Sequence, residues 1–263
     1  MDVQIYMRFK TRESCVSVYP YKSVIRKSMT NKKAFDFKKA TEGWKLLVAA
    51  DIVVFSLIKN KLNVLLVKRR FGPGVGKWAI PGGFVREDES LEEAALRELN
   101  EETGLSKSNY LEQLYTFGEV KRDPRTRVIA VAYMVLVSEP EKIKLSASDD
   151  AREARWFPIT DLPELSFGKS HEEILLYAWQ RLKWKFEYTN VAATMMQSEF
   201  TLTELQKAYE AVYKDKIDKR NFRKKILSLA MVEPLDKVTS EVGRPAQLYK
   251  ATTKKLKIYS RVI

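Results

Sequence analysis

Apolar positions in residues 1–43 keep no period. Tyr6, Tyr19, Tyr21, Phe35 and Phe37 stand among lysines and arginines, as in a basic extension. Beyond it the pattern sharpens. Two β-rich runs, Ala49 to Ile58 and Leu62 to Arg69, flank Lys59-Asn60-Lys61 and predict a hairpin. Phe71 to Gly76 is a glycine-rich loop, and Trp78 to Val85 leads into a helix. Ser90 stands three residues before Glu93 and an apolar-periodic run follows, which is the signature of a capping box. Leu91, Ala94, Ala95 and Leu99 give that helix a narrow apolar face, and it ends near Thr103, where Gly104 can take the left-handed conformation. Strands are predicted at Leu111 to Val120 and Arg127 to Val137, around the charged turn Lys121 to Arg125. A short strand at Ala154 to Ile159 and a helix from Ser170 to about Lys185 complete residues 44–188. Helices on a mixed sheet make an α/β/α sandwich.

A second segment, residues 189–263, carries a different pattern. Thr201-Leu202-Thr203-Glu204 is another capping box, with Leu205, Tyr209 and Val212 following at helical spacing. Asp218 caps a helix from Lys219 to about Ala230, on which Phe222, Ile226 and Leu229 form one stripe. Lys219, Arg220, Arg223, Lys224 and Lys225 take the rest. Met231 to Lys237 and Gln247 to Thr252 read as strands around a loop, Val238 to Ala246, with Arg244 at its tip. This is the outline of a winged helix-turn-helix, whose basic helix enters the major groove of double-stranded DNA while the wing touches the backbone. Lysines and arginines there hold phosphates, and Asn221 or Arg223 reads base edges. The same spacing also fits a small dimerisation module with a solvated basic face.

Composition narrows the chemistry. The 263 residues suffice for one large domain or two smaller ones. One cysteine, Cys15, excludes an intrachain disulfide and a cysteine metal site. One histidine, His171, argues against a Ser-His-Asp site and a paired-histidine zinc site; we read it as a surface residue near a helix start. Acid–base chemistry then rests on carboxylates, lysine, tyrosine or an activated water. The net charge of +13 is uneven. Residues 1–45 hold 11 Lys+Arg against 4 Asp+Glu, and residues 191–263 hold 15 against 8, whereas the middle is nearly neutral. Basic ends around a neutral centre suit a polyanionic partner, or simply a soluble surface. No apolar run reaches membrane-spanning length, and Arg8, Lys10 and Arg12 interrupt any signal-peptide core, so a cytoplasmic protein without a membrane partner is expected. Met29 offers an alternative start.

The densest chemistry lies between Gly83 and Leu105. Glu98, Glu101 and Glu102, spaced three and four apart, share one helical face. Clustered carboxylates repel one another unless a cation joins them, and hard oxygen donors suit Mg²⁺ or Mn²⁺ bridging to substrate phosphates. Pro81-Gly82-Gly83 lets backbone approach a phosphate closely. Gly83, Glu89, Arg97-Glu98-Leu99, Glu101-Glu102 and Gly104-Leu105 together form a complete Nudix box, so the chain resembles the Nudix hydrolase superfamily. Leu111 to Tyr133, Asp218 to Lys225 and Gly243 to Tyr249 further resemble the Nudix-related transcriptional regulators of NAD metabolism. That likeness covers roughly residues 46–252.

The resemblance implies a Nudix α/β/α sandwich followed by a winged helix, acting as a homodimer on palindromic operators and answering to ADP-ribose or a related metabolite. Some relatives answer to catabolic sugars instead. Many such regulators have an eroded box, whereas every position is present here. Two functions stay open: a metabolite-responsive regulator that also hydrolyses its ligand, or an ADP-ribose pyrophosphatase whose tail only dimerises. In either, Mg²⁺ or Mn²⁺ is expected on Glu98, Glu101, Glu102 and the Gly83 carbonyl. Arg97 orients a box glutamate. The base is a box glutamate or Glu153, in the loop before the short strand. Arg70, Arg122 and Arg125 are candidate phosphate or ribose contacts, with Gly82 and Gly83 beside them. Trp78 and Phe84 are read as core first and as base-stacking surfaces second.

Overall fold

A nearly continuous apolar strand needs cover on both faces, and β1 (Leu46–Ile58) has it. Ala50, Ile52 and Val54 face one side, Val53 and Phe55 the other, and all five are fully buried. The structure, a computed structural model, describes residues 46–106, 110–142, 145, 151–239, 245–253, 255–260 and 262, with the backbone alone at 142, 151 and 152. The basic extension and the Arg244 loop tip lie outside these residues.

Lys59 and Asn60, both left-handed at φ 50° and 59°, turn β1 into β2 (Lys61–Arg69). The predicted Trp78 to Val85 run divides into β3 (Trp78–Ala79) and β4 (Gly82–Phe84), and β4 pairs with β1 so that Gly82 lies opposite Asp51. Helix α1 (Leu91–Thr103) starts at the Ser90–Glu93 capping box and ends at left-handed Gly104. Next come β5 (Leu111–Phe117), β6 (Arg127–Val137) and β7 (Ala151–Pro158). The sheet runs β3-β2-β1-β6-β5, with β4 also on β1 and β7 on β2; β1 and β6 are parallel. Several strand ends differ from expectation, β1 starting three residues early among them. β5 stops at Phe117 because the Arg127 guanidinium takes the Gly118 and Glu119 carbonyls, both at 2.8 Å, and turns the chain away. β7 starts three residues early because β2 still offers a partner as far as Arg69.

Ala94, Ala95 and Leu99 of α1 cover one sheet face, and Ile174, Leu175 and Ala178 of α2 (Lys169–Tyr188) cover the other. The C-terminal lobe follows: α3 (Val191–Thr194), which the sequence pattern did not predict, β8 (Phe200–Thr201), α4 (Leu202–Tyr213), α5 (Lys219–Ser228), β9 (Val232–Val238) and β10 (Gln247–Ala251). The last three strands form a small sheet, β8-β10-β9. α5 ends before the expected Ala230, which is itself left-handed at φ 49°.

The two lobes share one core. Leu182 and Phe186 of α2 continue into Leu205, Tyr209 and Val212 of α4, and then into Phe222 and Ile226 of α5. Phe186 meets Tyr209 edge-on at 4.8 Å, and Tyr209 meets Phe222 edge-on at 5.2 Å. Such pairs add about 0.5–1.5 kcal/mol each beyond area burial. The Trp179 indole N–H donates to the Val212 carbonyl at 2.9 Å, and the Tyr213 hydroxyl donates to the Lys183 carbonyl at 3.0 Å. These part-buried contacts tie α2 to α4.

Candidate functional site

Beside α1 and β4 lies a cavity of about 500 Å³. Glu98, Glu101 and Glu102 line it because they share the α1 face that flanks the buried Ala95–Leu99 stripe. Close approach at β4 requires glycine. A Cβ on Gly83 would stand 2.2 Å from Glu98 Oε1, and one on Gly82 would stand 2.5 Å from the Ala50 carbonyl oxygen. The Gly82 N–H donates to Glu102 Oε2 at 2.9 Å, so backbone holds one box carboxylate in place.

Arg97 organises the others. Its guanidinium donates to both Glu89 oxygens at 2.8 and 2.5 Å, to Glu98 at 2.6 Å, to Glu101 at 3.1 Å and to the Phe84 carbonyl at 3.1 Å. The bidentate partner is Glu89, whose carboxyl this contact pulls down to about 2. Burial pushes the Glu98 carboxyl up despite Arg97. With these side chains in place, no three acidic, His or Cys donors among the described residues stand close enough to grip one ion. The donor set nonetheless suits a hard divalent cation: three carboxylates reach one cavity, and a cation there would offset the cost of ionising buried Glu98.

Opposite the glutamates stands a second charged group that the sequence pattern largely hid. Asp51 of β1 is buried and accepts from Arg122 at 2.9 Å; burial raises its pKa although Arg122 works against that. Arg125 donates to Asp123 at 3.0 and 2.7 Å. Arg122 and Arg125, the candidate phosphate or ribose contacts, line the cavity, but each already has a carboxylate partner. Strand alternation could have revealed Asp51, a charged residue inside an apolar strand.

Four expectations need correction. Arg70 is exposed and outside the cavity, just past the end of β2, while Arg69, the last residue of that strand, lines it. Glu153 lies inside β7, opposite Lys68 and paired with Arg155, and is not among the cavity residues. His171 is no surface residue: it is buried at the start of α2, lines the cavity, and is held neutral by desolvation and by Arg122 and Arg69. Phe84 is no core residue but exposed cavity wall beneath Arg125, whereas Trp78 packs against the core, edge-on to Phe157 at 4.6 Å, as first read.

On α5, Lys219, Arg220, Asn221 and Lys224 are exposed. Arg223 is half-buried and donates to Thr203 Oγ1 at 3.0 Å, so it fastens α5 to the start of α4 instead of projecting outward.

Comparison with known proteins adds two family models. The NUDIX domain model matches residues 46–178, and the NrtR DNA-binding winged helix domain model matches residues 192–251. The chain is 34% identical over 206 residues, 78% of its length and 81% of the relative's, to the ADPR responsive transcriptional repressor NtrR of Acinetobacter baylyi. The chain belongs to the NrtR family of Nudix-domain regulators. This NrtR-type chain is also 37% identical over 148 residues to the ADP-ribose pyrophosphatase of Methanocaldococcus jannaschii, covering 56% of the chain and 82% of that enzyme. The solved structure of Shewanella oneidensis NrtR complexed with a 27mer DNA covers 82% of the chain and 99% of its own, with 31% identity and a TM-score of 0.69. An NrtR-type chain thus combines a lobe of the Nudix hydrolase family with a winged helix. No helix among the described residues is long and apolar enough to cross a membrane.

Proposed function

We propose that the protein is a cytoplasmic, homodimeric transcriptional regulator that binds an ADP-ribose-like nucleoside diphosphate in the Nudix cavity and double-stranded operator DNA through α5. The observation that carries this reading is the single core that joins the cavity helix α2 to the basic helix α5. A ligand favouring one arrangement of α2 thereby favours one arrangement of the DNA-reading helices, by no more than its difference in affinity for the two. Lys219, Arg220 and Lys224, with Arg244, supply the phosphate contacts, and Asn221 reads a base edge. Arg223 sets the tilt of α5 through Thr203.

The test is anisotropy with duplexes selected by the protein from a random pool. Affinity should fall steeply with salt, and Lys224→Ala should lower both affinity and the salt slope by about one counterion. Saturating ADP-ribose should change DNA affinity about 5- to 150-fold. Equal affinity with and without ADP-ribose would remove the regulatory reading.

The full box also supports hydrolysis. Glu98, Glu101, Glu102 and the Gly83 carbonyl would hold Mg²⁺ or Mn²⁺, which supplies neutralisation of the diphosphate and a more acidic water. Arg97 positions Glu98 and Glu101, and Gly82 positions Glu102. With Glu153 outside the cavity, the proton passes to a box glutamate. Glu102→Gln should lower release of AMP from ADP-ribose by about 100-fold or more while leaving the fold intact. A wild-type protein that binds ADP-ribose yet releases no AMP with either metal would show a sensor without turnover.

A further inference from the structure

Five arginines line the cavity, and four are matched by carboxylates: Arg86 by Glu101, Arg97 by Glu89, Glu98 and Glu101, Arg122 by Asp51 and Arg125 by Asp123. Arg69 is not. Among the described residues it forms no ion pair with a carboxylate, although Glu102, Asp123 and Asp51 act on it electrostatically. Among those residues its side chain makes one long hydrogen bond, 3.4 Å to the Phe71 carbonyl, and its Nε is buried without a partner. Burial first, and then Arg125, work against its charge. A half-buried cation in this position costs free energy unless something anionic completes it.

Its support is unusual. The Arg69 guanidinium lies 4.9 Å from the centre of the Phe167 ring, and Arg125 lies 5.5 Å from the same ring. Phe167 adopts a left-handed backbone at φ 60°, immediately before α2. A bulky residue rarely adopts that conformation, and such strain persists where surrounding contacts hold it. Here the two guanidinium groups and the tilted His171 ring, 5.1 Å away, hold it. Phe167 therefore serves as a platform for arginines, which leaves its face unavailable for stacking a base.

Resting on the diphosphate ligand proposed above, we propose that Arg69, seated on Phe167, is the anchor for the phosphate oxygens of that ligand. The planar guanidinium fork matches phosphate in a bidentate manner, and Arg69 is the cavity arginine with no carboxylate already in that fork. Ligand binding then removes the electrostatic penalty on Arg69 and is most favourable at low salt.

Calorimetric titration of the full chain with ADP-ribose, without metal, tests this. Arg69→Gln should weaken binding about 10- to 100-fold, the range of a lost charged hydrogen bond. It should also flatten the salt dependence. Arg69→Lys, which keeps the charge and loses the fork, should fall between. Phe167→Leu should weaken binding with arginine intact, and Lys61→Gln, an exposed charge change on the same strand, should not. If the wild type binds ADP-ribose and Arg69→Lys and Arg69→Gln bind it equally well, the anchor is wrong and the nucleotide cavity stands. If the wild type ignores ADP-ribose but binds inorganic pyrophosphate in an Arg69-dependent way, the anchor stands and the ADP-ribose reading fails. Binding of neither compound overturns the anchor.

Discussion

Acidification below pH 6.5 is expected to cost the folded state about 1.4 kcal/mol per pH unit through His171 alone. The unfolded imidazole takes a proton near 6.5, whereas the folded one, desolvated and facing Arg122 and Arg69, stays neutral down to about 3. Between those values the unfolded chain binds more protons. This stability is complete above 6.5 and is lost as pH falls toward about 3. Asp123 faces the same ring and opposes the shift without cancelling it. Asp51 and Glu98 act in the opposite sense, since burial raises both carboxyls and favours the folded state as they protonate. The net slope is therefore informative only as a difference. Urea melts of the parent and His171→Leu across this window should diverge, with the variant less acid-sensitive. Parallel curves would show that the ring gains a proton without unfolding. The chain has one histidine, so no other imidazole confuses the comparison.

Tyr209→Ala is expected to cost about 3–5 kcal/mol, the range for deleting a large aromatic side chain from a core. Tyr209 is fully buried between Phe186 and Phe222, so both ring contacts are lost together with the volume. Tyr209→Phe should behave oppositely. Among the described residues the Tyr209 hydroxyl is buried without a partner, and removing an unsatisfied hydroxyl stabilises by about 1 kcal/mol. Denaturant melts followed by tryptophan fluorescence measure both. If Tyr209→Ala left the midpoint unchanged, the shared core between the lobes would be refuted.

Much of this architecture was legible beforehand, for local reasons. Capping boxes at Ser90 and Thr201 announce helix starts because side chain and backbone satisfy each other within three residues. The Asp218 cap and the Phe222–Ile226 stripe are equally local. The three glutamates share a cavity because helical spacing alone puts them on one face. What the pattern concealed depends on long-range packing. Asp51 and Arg122 are 71 residues apart, and only the fold makes them a pair. Choosing Arg69 over Arg70 requires knowing that β2 ends at Arg69 and which way that end faces. His171 looked exposed because polar residues surround it in sequence. It sits beside Phe167, which is nearby in sequence, and within the electrostatic reach of Arg69 and Arg122, which are not. Arg223 looked available to DNA because Thr203, its partner, lies on another helix.

The aromatic contact from α2 through Tyr209 to α5 has a consequence for exchange of amide hydrogens. α5 has two fully covered residues, Phe222 and Ile226, and both lean on the core it shares with the cavity lobe. Its amides in the middle turns should therefore exchange with deuterium mainly when that whole core opens. A ligand that binds only the closed cavity makes that opening rarer by the factor by which it exceeds its dissociation constant. Deuterium uptake in the DNA-reading helix thus becomes a readout of occupancy in the Nudix cavity, even with no DNA in the tube.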